Sequence, residues 1–154
     1  MYYKIILLLS VWMMSNIDNC EDMNTLRMSY HEVNSKLELK EFIKTYQNIE
    51  CSYSLPYLAS AHMQQAEFTM MPHLKLKYFK EGKLELESYI EEYPNDIEGR
   101  YVRFLIQSNL PSFLGYSENI SSDKEFIMRN LNSSTLSEEY KEVIRDTINK
   151  IDKE

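Results

Sequence analysis

The chain has 154 residues, which suits one domain with a hydrophobic core; 44% of its residues are apolar and 27% are charged. The formal net charge of −7 argues against nucleic acid as a partner, because phosphate binding requires a basic surface. Only 3 glycines and 4 prolines are present, which disfavours an all-β fold with its many turns.

The beginning of the chain has the pattern of a secretory leader. Lys4 precedes an apolar run from Ile5 to Met14, and this run is shorter than the roughly 20 residues that a membrane-spanning helix needs. We therefore divide the chain into a signal peptide or lipoprotein leader, residues 1–20, and a single helical domain, residues 21–154. This division predicts an exported protein that is periplasmic, envelope-associated or secreted.

Cys20 has two alternative roles. It stands where a bacterial lipoprotein carries its lipid, so we predict lipidation of Cys20 and membrane attachment through it, although Asn19 is not the small residue that normally precedes such a cysteine. The alternative is a cysteine in a removed or disordered tail, or a disulfide with Cys51, which has no local support because two cysteines define no disulfide framework.

Apolar residues at helical spacing predict an all-α fold over the rest of the chain. The first three helices are expected over 24–34, from the capping residue Ser35 to about residue 48, and from about residue 54 to Met71 before Pro72. Three later capping pairs predict where the last three helices begin: Asn95 with Glu98, Ser122 with Glu125, and Thr135 with Glu138.

Residues 74–116 carry the strongest pattern and predict a central helical hairpin that turns at Pro94. Gly82 lies within the apolar stripe of its first helix, where glycine costs about 1 kcal/mol relative to alanine. We therefore expect another helix to cross closely at Gly82. The apolar loop over 111–121, which contains Phe113 and Tyr116, is expected to fold back onto the core.

Two similar units follow one another along the chain. Residues 55–96 and 97–133 each contain a helix, a proline break and a second helix, and the breaks at Pro72 and Pro111 are 39 positions apart. The segment LELESYIEEYPND resembles the second helix and closing turn of a tetratricopeptide repeat. This resemblance implies antiparallel helical hairpins, about six helices in all, in one right-handed array or a compact bundle.

A second resemblance covers roughly residues 53–131. The strings KLKYFKEGK, YPNDIEGRYVRFLIQSNLPSFLGY and SSDKEFI are similar to those of a group of short exported bacterial proteins with no assigned activity. This resemblance implies an exported, all-helical domain and transfers no functional residue.

No catalytic, cofactor or metal-binding pattern occurs in the sequence. His31, His62 and His73 lack the spacing of zinc ligands, and neither a nucleophile elbow nor a glycine-rich phosphate loop is present. We therefore predict no catalytic residue, no cofactor and no metal, and a protein that is not an enzyme.

One polar stripe predicts a binding surface. Arg100, Arg103 and Gln107 share a helix face, and by analogy with tetratricopeptide repeats this face would donate hydrogen bonds to a carboxylate or peptide backbone. Lys83 and Tyr116 are expected to reach the same region. The alternative is that the arginines pair with nearby acids and hold helices in register; the candidates are Glu92, Asp96 and Asp123.

These patterns predict a non-enzymatic protein-binding or scaffold module of the bacterial cell envelope, with a protein or peptide partner. The alternative is a small-ligand carrier or enzyme with a pocket between the 111–121 loop and the central helical hairpin.

Overall fold

A computed structural model describes Cys20 and residues 23–153, and this part of the chain forms α-helices and short 3₁₀ turns without any β-strand. The all-α prediction is confirmed, with seven α-helices in the described part where about six were expected. Residues 1–19 of the predicted leader lie outside the described residues. The helices are α1 Met23–Glu32, α2 Lys36–Tyr46, α3 Leu55–Gln64, α4 Pro72–Glu92, α5 Ile97–Asn109, α6 Ile120–Asn130 and α7 Glu138–Ile151.

None of the helices over residues 23–153 combines the length and the apolar character that crossing a membrane requires. The longest is α4, with 21 residues, and lysines and glutamates recur along it.

Several helix ends differ from the predicted ones by one to several residues. The Ser35 cap is confirmed, since its Oγ accepts the Glu38 N–H at 3.2 Å. The cap of α5 was assigned wrongly: Asp96, not Asn95, accepts the Gly99 N–H at 2.7 Å. Where capping residues stand side by side, the backbone conformation decides which one caps the helix.

The starts of α6 and α7 were also misplaced. The first of these helices begins at Ile120, before the predicted cap Ser122, and the backbone N–H of the preceding Asn119 is held by Gln107. The second is capped by Ser137 in place of Thr135, and its Oγ accepts the Tyr140 N–H at 3.2 Å.

The close helix crossing predicted at Gly82 is confirmed. A β-carbon added to Gly82 of α4 would lie 2.5 Å from the Ala59 carbonyl oxygen and 2.6 Å from Met63 Cγ, both on α3. No real β-carbon lies that close to a neighbour, so only glycine lets the two backbones approach this far. The backbones of α3 and α4 are therefore in direct contact at Gly82.

The helices pack most extensively as α3 on α4 and as α5 on α6, which are the two pairs that the internal similarity indicated. Helix α5 lies in the centre of the molecule: Tyr101 and Val102 are fully buried and Phe104 is nearly so. It contacts α3, α4 and α6. Side chains on α5 therefore meet groups from most of the chain.

The loop between α5 and α6 folds back only in part, so the prediction for it was half wrong. Tyr116 is buried, but Phe113 is 84% exposed and Leu114 is also exposed. Gly115 adopts a left-handed conformation with φ of 60°, which ends the 3₁₀ turn at Ser112–Leu114 and turns the chain toward Tyr116.

Candidate functional site

The predicted binding stripe is built into a buried ion-pair network between α4, α5 and α6. Arg103, only 6% exposed, donates from Nε and Nη2 to the two carboxylate oxygens of Asp123 at 2.7 and 2.8 Å. Its Nη1 donates to Glu87 on α4 at 2.8 Å. Burial alone would lower the pKa of Arg103, but hydrogen bonding to Asp123 and the charges of both carboxylates raise it. All three guanidinium nitrogens of Arg103 therefore have partners within the protein.

Arg100 lies one turn earlier on α5 and is also bound internally. Its Nε and Nη2 donate to the Pro94 carbonyl oxygen at 3.0 and 2.8 Å, and its Nη1 donates to Asp123 at 3.1 Å. The guanidinium carbon lies 4.3 Å from the centre of the Phe126 ring, within the range of a cation–π contact. We call the group of Glu87, Arg100, Arg103 and Asp123 the arginine network.

The other predicted site residues anchor the 110–119 loop. Gln107 is 2% exposed; its Oε1 accepts the backbone N–H of Asn119 at 3.1 Å. The Tyr116 hydroxyl donates to Glu87, and Lys83 Nζ lies 4.2 Å from the centre of the Tyr116 ring. Burial, and then this hydrogen bond, raise the pKa of the Tyr116 phenol well above its ordinary value.

The structure thus brings all five predicted residues together, and it places them as internal supports. Arg100, Arg103 and Gln107 do not present free donors to a partner, because Asp123, Glu87, Pro94 and Asn119 occupy them. Of the acids considered as alternative partners, Asp123 makes the pairing and links α5 to α6. This pairing corresponds to the alternative in which the arginines hold helices in register, and the binding role of the stripe stays a prediction.

Tyr116 lies between the 111–121 loop and α4, where a pocket was predicted. Its ring contacts Phe79 of α4 edge-on, with the ring centres 6.1 Å apart, and its hydroxyl reaches Glu87. The structure places grooves elsewhere, on the two sides of α2. One groove of about 290 Å³ is acidic, with Glu32, Glu38 and Glu41 around Phe42 and Tyr46.

A second buried network, in the centre of the molecule, was missed by sequence reasoning. The Glu98 carboxylate of α5 is 3% exposed; it accepts from Arg27 of α1 at 2.6 and 2.8 Å and from the Tyr57 hydroxyl of α3 at 2.7 Å. Tyr57 in turn lies 2.7 Å from the hydroxyl of Tyr140 on α7. Arg27, Tyr57, Glu98 and Tyr140, the central network, therefore connect four helices.

The sequence signal for the central network was the high number of tyrosines. The chain has 12 tyrosines, and Tyr57, Tyr101 and Tyr140 among them are fully buried. Burial raises the pKa of Tyr57 and of Tyr140 well above the ordinary value. Because these hydroxyls need partners in the core, buried tyrosines indicate a buried polar network. Glu98 was interpreted only as a helix-capping residue.

His31 borders the central network and gives the stability a pH dependence. Burial lowers its pKa to about 4 from the ordinary 6.5, and its Nε2 lies 3.4 Å from the Tyr101 hydroxyl. The folded state therefore holds His31 neutral, and protons favour the unfolded state as the pH falls below 6.5. Between pH 6.5 and about pH 4 we expect the free energy of unfolding to fall by roughly 2–3 kcal/mol from this residue.

The prediction for His31 is tested by urea unfolding across that pH range. His31→Gln should remove this part of the slope, whereas His73→Gln, at an exposed position, should retain it. Equal slopes for the wild type and His31→Gln would show that His31 is not held neutral by the fold.

Cys20 forms a disulfide with Cys51, with the two Cα atoms 5.2 Å apart. The bond ties the chain before α1 to the 3₁₀ turn that precedes α3. A sulfur in a disulfide cannot also carry a thioether-linked lipid, so the structure corresponds to the alternative to lipidation at Cys20. Mass spectrometry of the mature amino terminus distinguishes the two forms.

Exposed apolar and basic side chains occur on the first half of α4, just before that helix and in the 110–119 loop. The loop after α5 contacts α4 through Tyr116, whose ring centre lies 6.1 Å from that of Phe79 and 4.2 Å from Lys83 Nζ. Phe113 is 84% exposed there, and Met70, just before α4, is 93% exposed. We call these residues together the lysine–apolar end; it comprises the exposed Met70, Met71, Leu76, Phe113, Leu114, Lys75, Lys77 and Lys80, and the half-buried Lys83.

Comparison with known proteins found no relative of this chain. No protein-family model, no curated protein and no solved structure matches it. Nor does any group of three or more His, Cys, Asp or Glu side chains among the described residues have an arrangement that would hold a metal ion.

Proposed function

We propose that this chain is a non-enzymatic protein-binding or scaffold module of the bacterial cell envelope and that the lysine–apolar end contacts the partner. The observation that carries the proposal is Phe113, which is exposed on a loop anchored by buried groups. Tyr116 and Gln107 hold that loop through Glu87 and Asn119. An apolar side chain on a fixed backbone gains free energy when a partner covers it, and little conformational entropy is lost on binding.

The charge at this end indicates the chemistry of the partner. Four lysines and one acidic residue, Glu81, lie between Pro72 and Lys83, although the chain as a whole has a net charge of −7. Complementary charge steers association and selects partners. The partner surface that fits best is an apolar pocket with an acidic rim.

The envelope location has its own support. Disulfides form and persist in oxidising compartments such as the bacterial periplasm, and both cysteines of the chain are paired. The tetratricopeptide-like arrangement is part of the same proposal, supported by the two pairs α3–α4 and α5–α6. The alternative of a carrier or enzyme with a pocket beside the 111–121 loop has less support, because Tyr116 fills that space.

The proposal is tested by photocrosslinking in intact cells. A benzophenone amino acid is placed at Phe113 or at Leu76, and in the control at Met128, which is 46% exposed on α6. We expect positions 113 and 76 to crosslink to the same protein and position 128 not to do so. Phe113→Ser should abolish the crosslink from position 76 while changing the free energy of unfolding by less than about 0.5 kcal/mol.

Two outcomes would contradict this assignment of the contact surface. One is the same crosslinked product from position 128, because Met128 lies on α6, outside the lysine–apolar end. The other is a crosslink from position 76 that Phe113→Ser leaves unchanged, because the exposed loop would then contribute nothing to binding.

A further inference from the structure

A second groove lies on the other side of α2 and is lined by hydrogen-bond donors. It has a volume of about 260 Å³ and is formed by α2, the turn after α3 and Tyr78 of α4. Leu39 and Phe68 supply its apolar part. Its polar lining consists of Lys36, Lys40, Gln65, Thr69 and the Tyr78 hydroxyl, with no aspartate or glutamate. The groove is therefore positively charged.

Several of these donors are unoccupied in the structure. Lys40, Gln65 and the Tyr78 hydroxyl make no side-chain hydrogen bond or ion pair to any described residue, and Lys36 Nζ makes only a long contact of 3.4 Å, to the Phe68 carbonyl oxygen. The arginine network is the opposite case, since every guanidinium nitrogen of Arg103 is bound by a carboxylate. Cationic donors that line one groove and bind no carboxylate of the described residues leave a place for an added anion.

The acidic groove on the opposite side of α2 differs, because one of its charged side chains is already hydrogen-bonded within the protein. The Glu38 carboxylate already accepts the Asn34 N–H at 2.8 Å, and this hydrogen bond lowers the pKa of Glu38. That carboxylate hydrogen-bonds the backbone at the start of α2 and thereby stabilises the helix.

We propose that the groove between α2 and α4 binds a small organic anion, a carboxylate attached to an apolar or aromatic body. The lysines at positions 36 and 40 receive the carboxylate, and Leu39 and Phe68 cover the apolar part, with the Tyr78 hydroxyl available to a polar substituent. A volume near 260 Å³ suits a ligand the size of one amino acid. This inference goes beyond the proposed function and uses none of the residues of the lysine–apolar end, so either can fail without the other.

The test uses N-acetyl-L-phenylalanine as the probe and its C-terminal amide as the matched control. The full-length protein, labelled with ¹⁵N, is titrated while amide chemical shifts are followed. We expect shifts confined to residues near 36–40, 65–69 and 78, with a Kd on the order of 1 mM for a ligand this small. The amide should bind at least about fivefold more weakly, because it lacks the charge.

Matched variants locate the binding residues. Lys40→Gln should weaken binding of the probe about fivefold, and Lys44→Gln, one turn further along α2 and outside the groove, should leave it unchanged. The combination of Lys36→Gln and Lys40→Gln should abolish measurable binding. These lysines are exposed at the surface, so the spectra of the variants should retain the dispersion of the folded protein.

Two sources can supply such a carboxylate: a free acid or the C-terminus of a peptide. Acetyl-Ala-Ala-Phe binding more tightly than N-acetyl-L-phenylalanine identifies a chain end, and equal affinities identify a free acid; both results support the site. Equal binding of acid and amide, equal effects of Lys40→Gln and Lys44→Gln, or no shifts in the groove at 10-fold the expected Kd would each overturn it.

Discussion

Replacing Asp123 with alanine is expected to lower the free energy of unfolding by about 3–5 kcal/mol, because it leaves a buried arginine without its counter-ion. Asp123 is fully buried and receives both Arg103, at 2.7 and 2.8 Å, and Arg100, at 3.1 Å. Taking away the carboxylate removes the ion pairs between α5 and α6 and leaves Arg103 with Glu87 alone. Equilibrium unfolding in urea measures the loss.

Two further variants separate this mechanism from a general loss of packing. Asp146→Ala on α7 removes an exposed carboxylate that makes no side-chain hydrogen bond or ion pair to a described residue, and it should change the unfolding free energy by less than about 0.5 kcal/mol. Arg103→Met with Asp123→Leu replaces the ion pair by apolar side chains and should be more stable than Asp123→Ala. A double variant less stable than the single one would show that the charge pairing is not the source of the loss.

Replacing Glu98 with alanine is expected to cost about 3 kcal/mol for a related reason, since it breaks the centre of a buried network. Glu98 accepts three hydrogen bonds, two from Arg27 and one from Tyr57. Its loss leaves Arg27, 14% exposed, unpaired beside the core and removes the only carboxylate of the central network. The effect is again measured by urea unfolding.

Glu98→Gln and Glu92→Ala are the matched controls for Glu98→Ala. Glutamine keeps an acceptor for Tyr57 but loses the charge that Arg27 faces. The Glu98→Gln variant should therefore be destabilised by less than the Glu98→Ala variant. Glu92 is exposed at the end of α4, and its replacement should have little effect. Equal stability of the wild type and Glu98→Ala would mean that the central network does not hold the four helices together.

The two networks bear on function as well as on stability. The arginine network and Gln107 fix the loop that presents Phe113, so Asp123→Ala should also reduce photocrosslinking from position 113. The groove between α2 and α4 shares no residue with either network. A variant that displaces the loop should therefore leave anion binding in the groove unchanged, and a groove variant should leave crosslinking at position 113 unchanged.

Most of the helices were predictable because their apolar spacing is a local property of the chain. The stripe through Gly82, Leu86 and Ile90 is buried, and the close crossing at Gly82 follows from a glycine within it. The helix starts were less predictable, as at Asp96 and Ser137, where neighbouring polar residues compete and local backbone geometry selects one.

The candidate site could not be predicted in the same way, because its partners are distant in sequence. The spacing of Arg100, Arg103 and Gln107 places them on one helix face, but it does not show whether that face meets solvent or Asp123, 20 residues beyond Arg103. Glu98 and Arg27 are 71 residues apart, and no local pattern joins them.

The sequence by itself determined that this chain forms amphipathic helices and that another helix crosses closely at Gly82, because helical periodicity and glycine act within a few residues. Only the tertiary structure decided that the arginines are buried, that Phe113 is exposed, that Cys20 pairs with Cys51 and that the lysines of α2 face a groove. Each of these depends on which helix lies beside which, and burial, pairing and exposure are set by those neighbours.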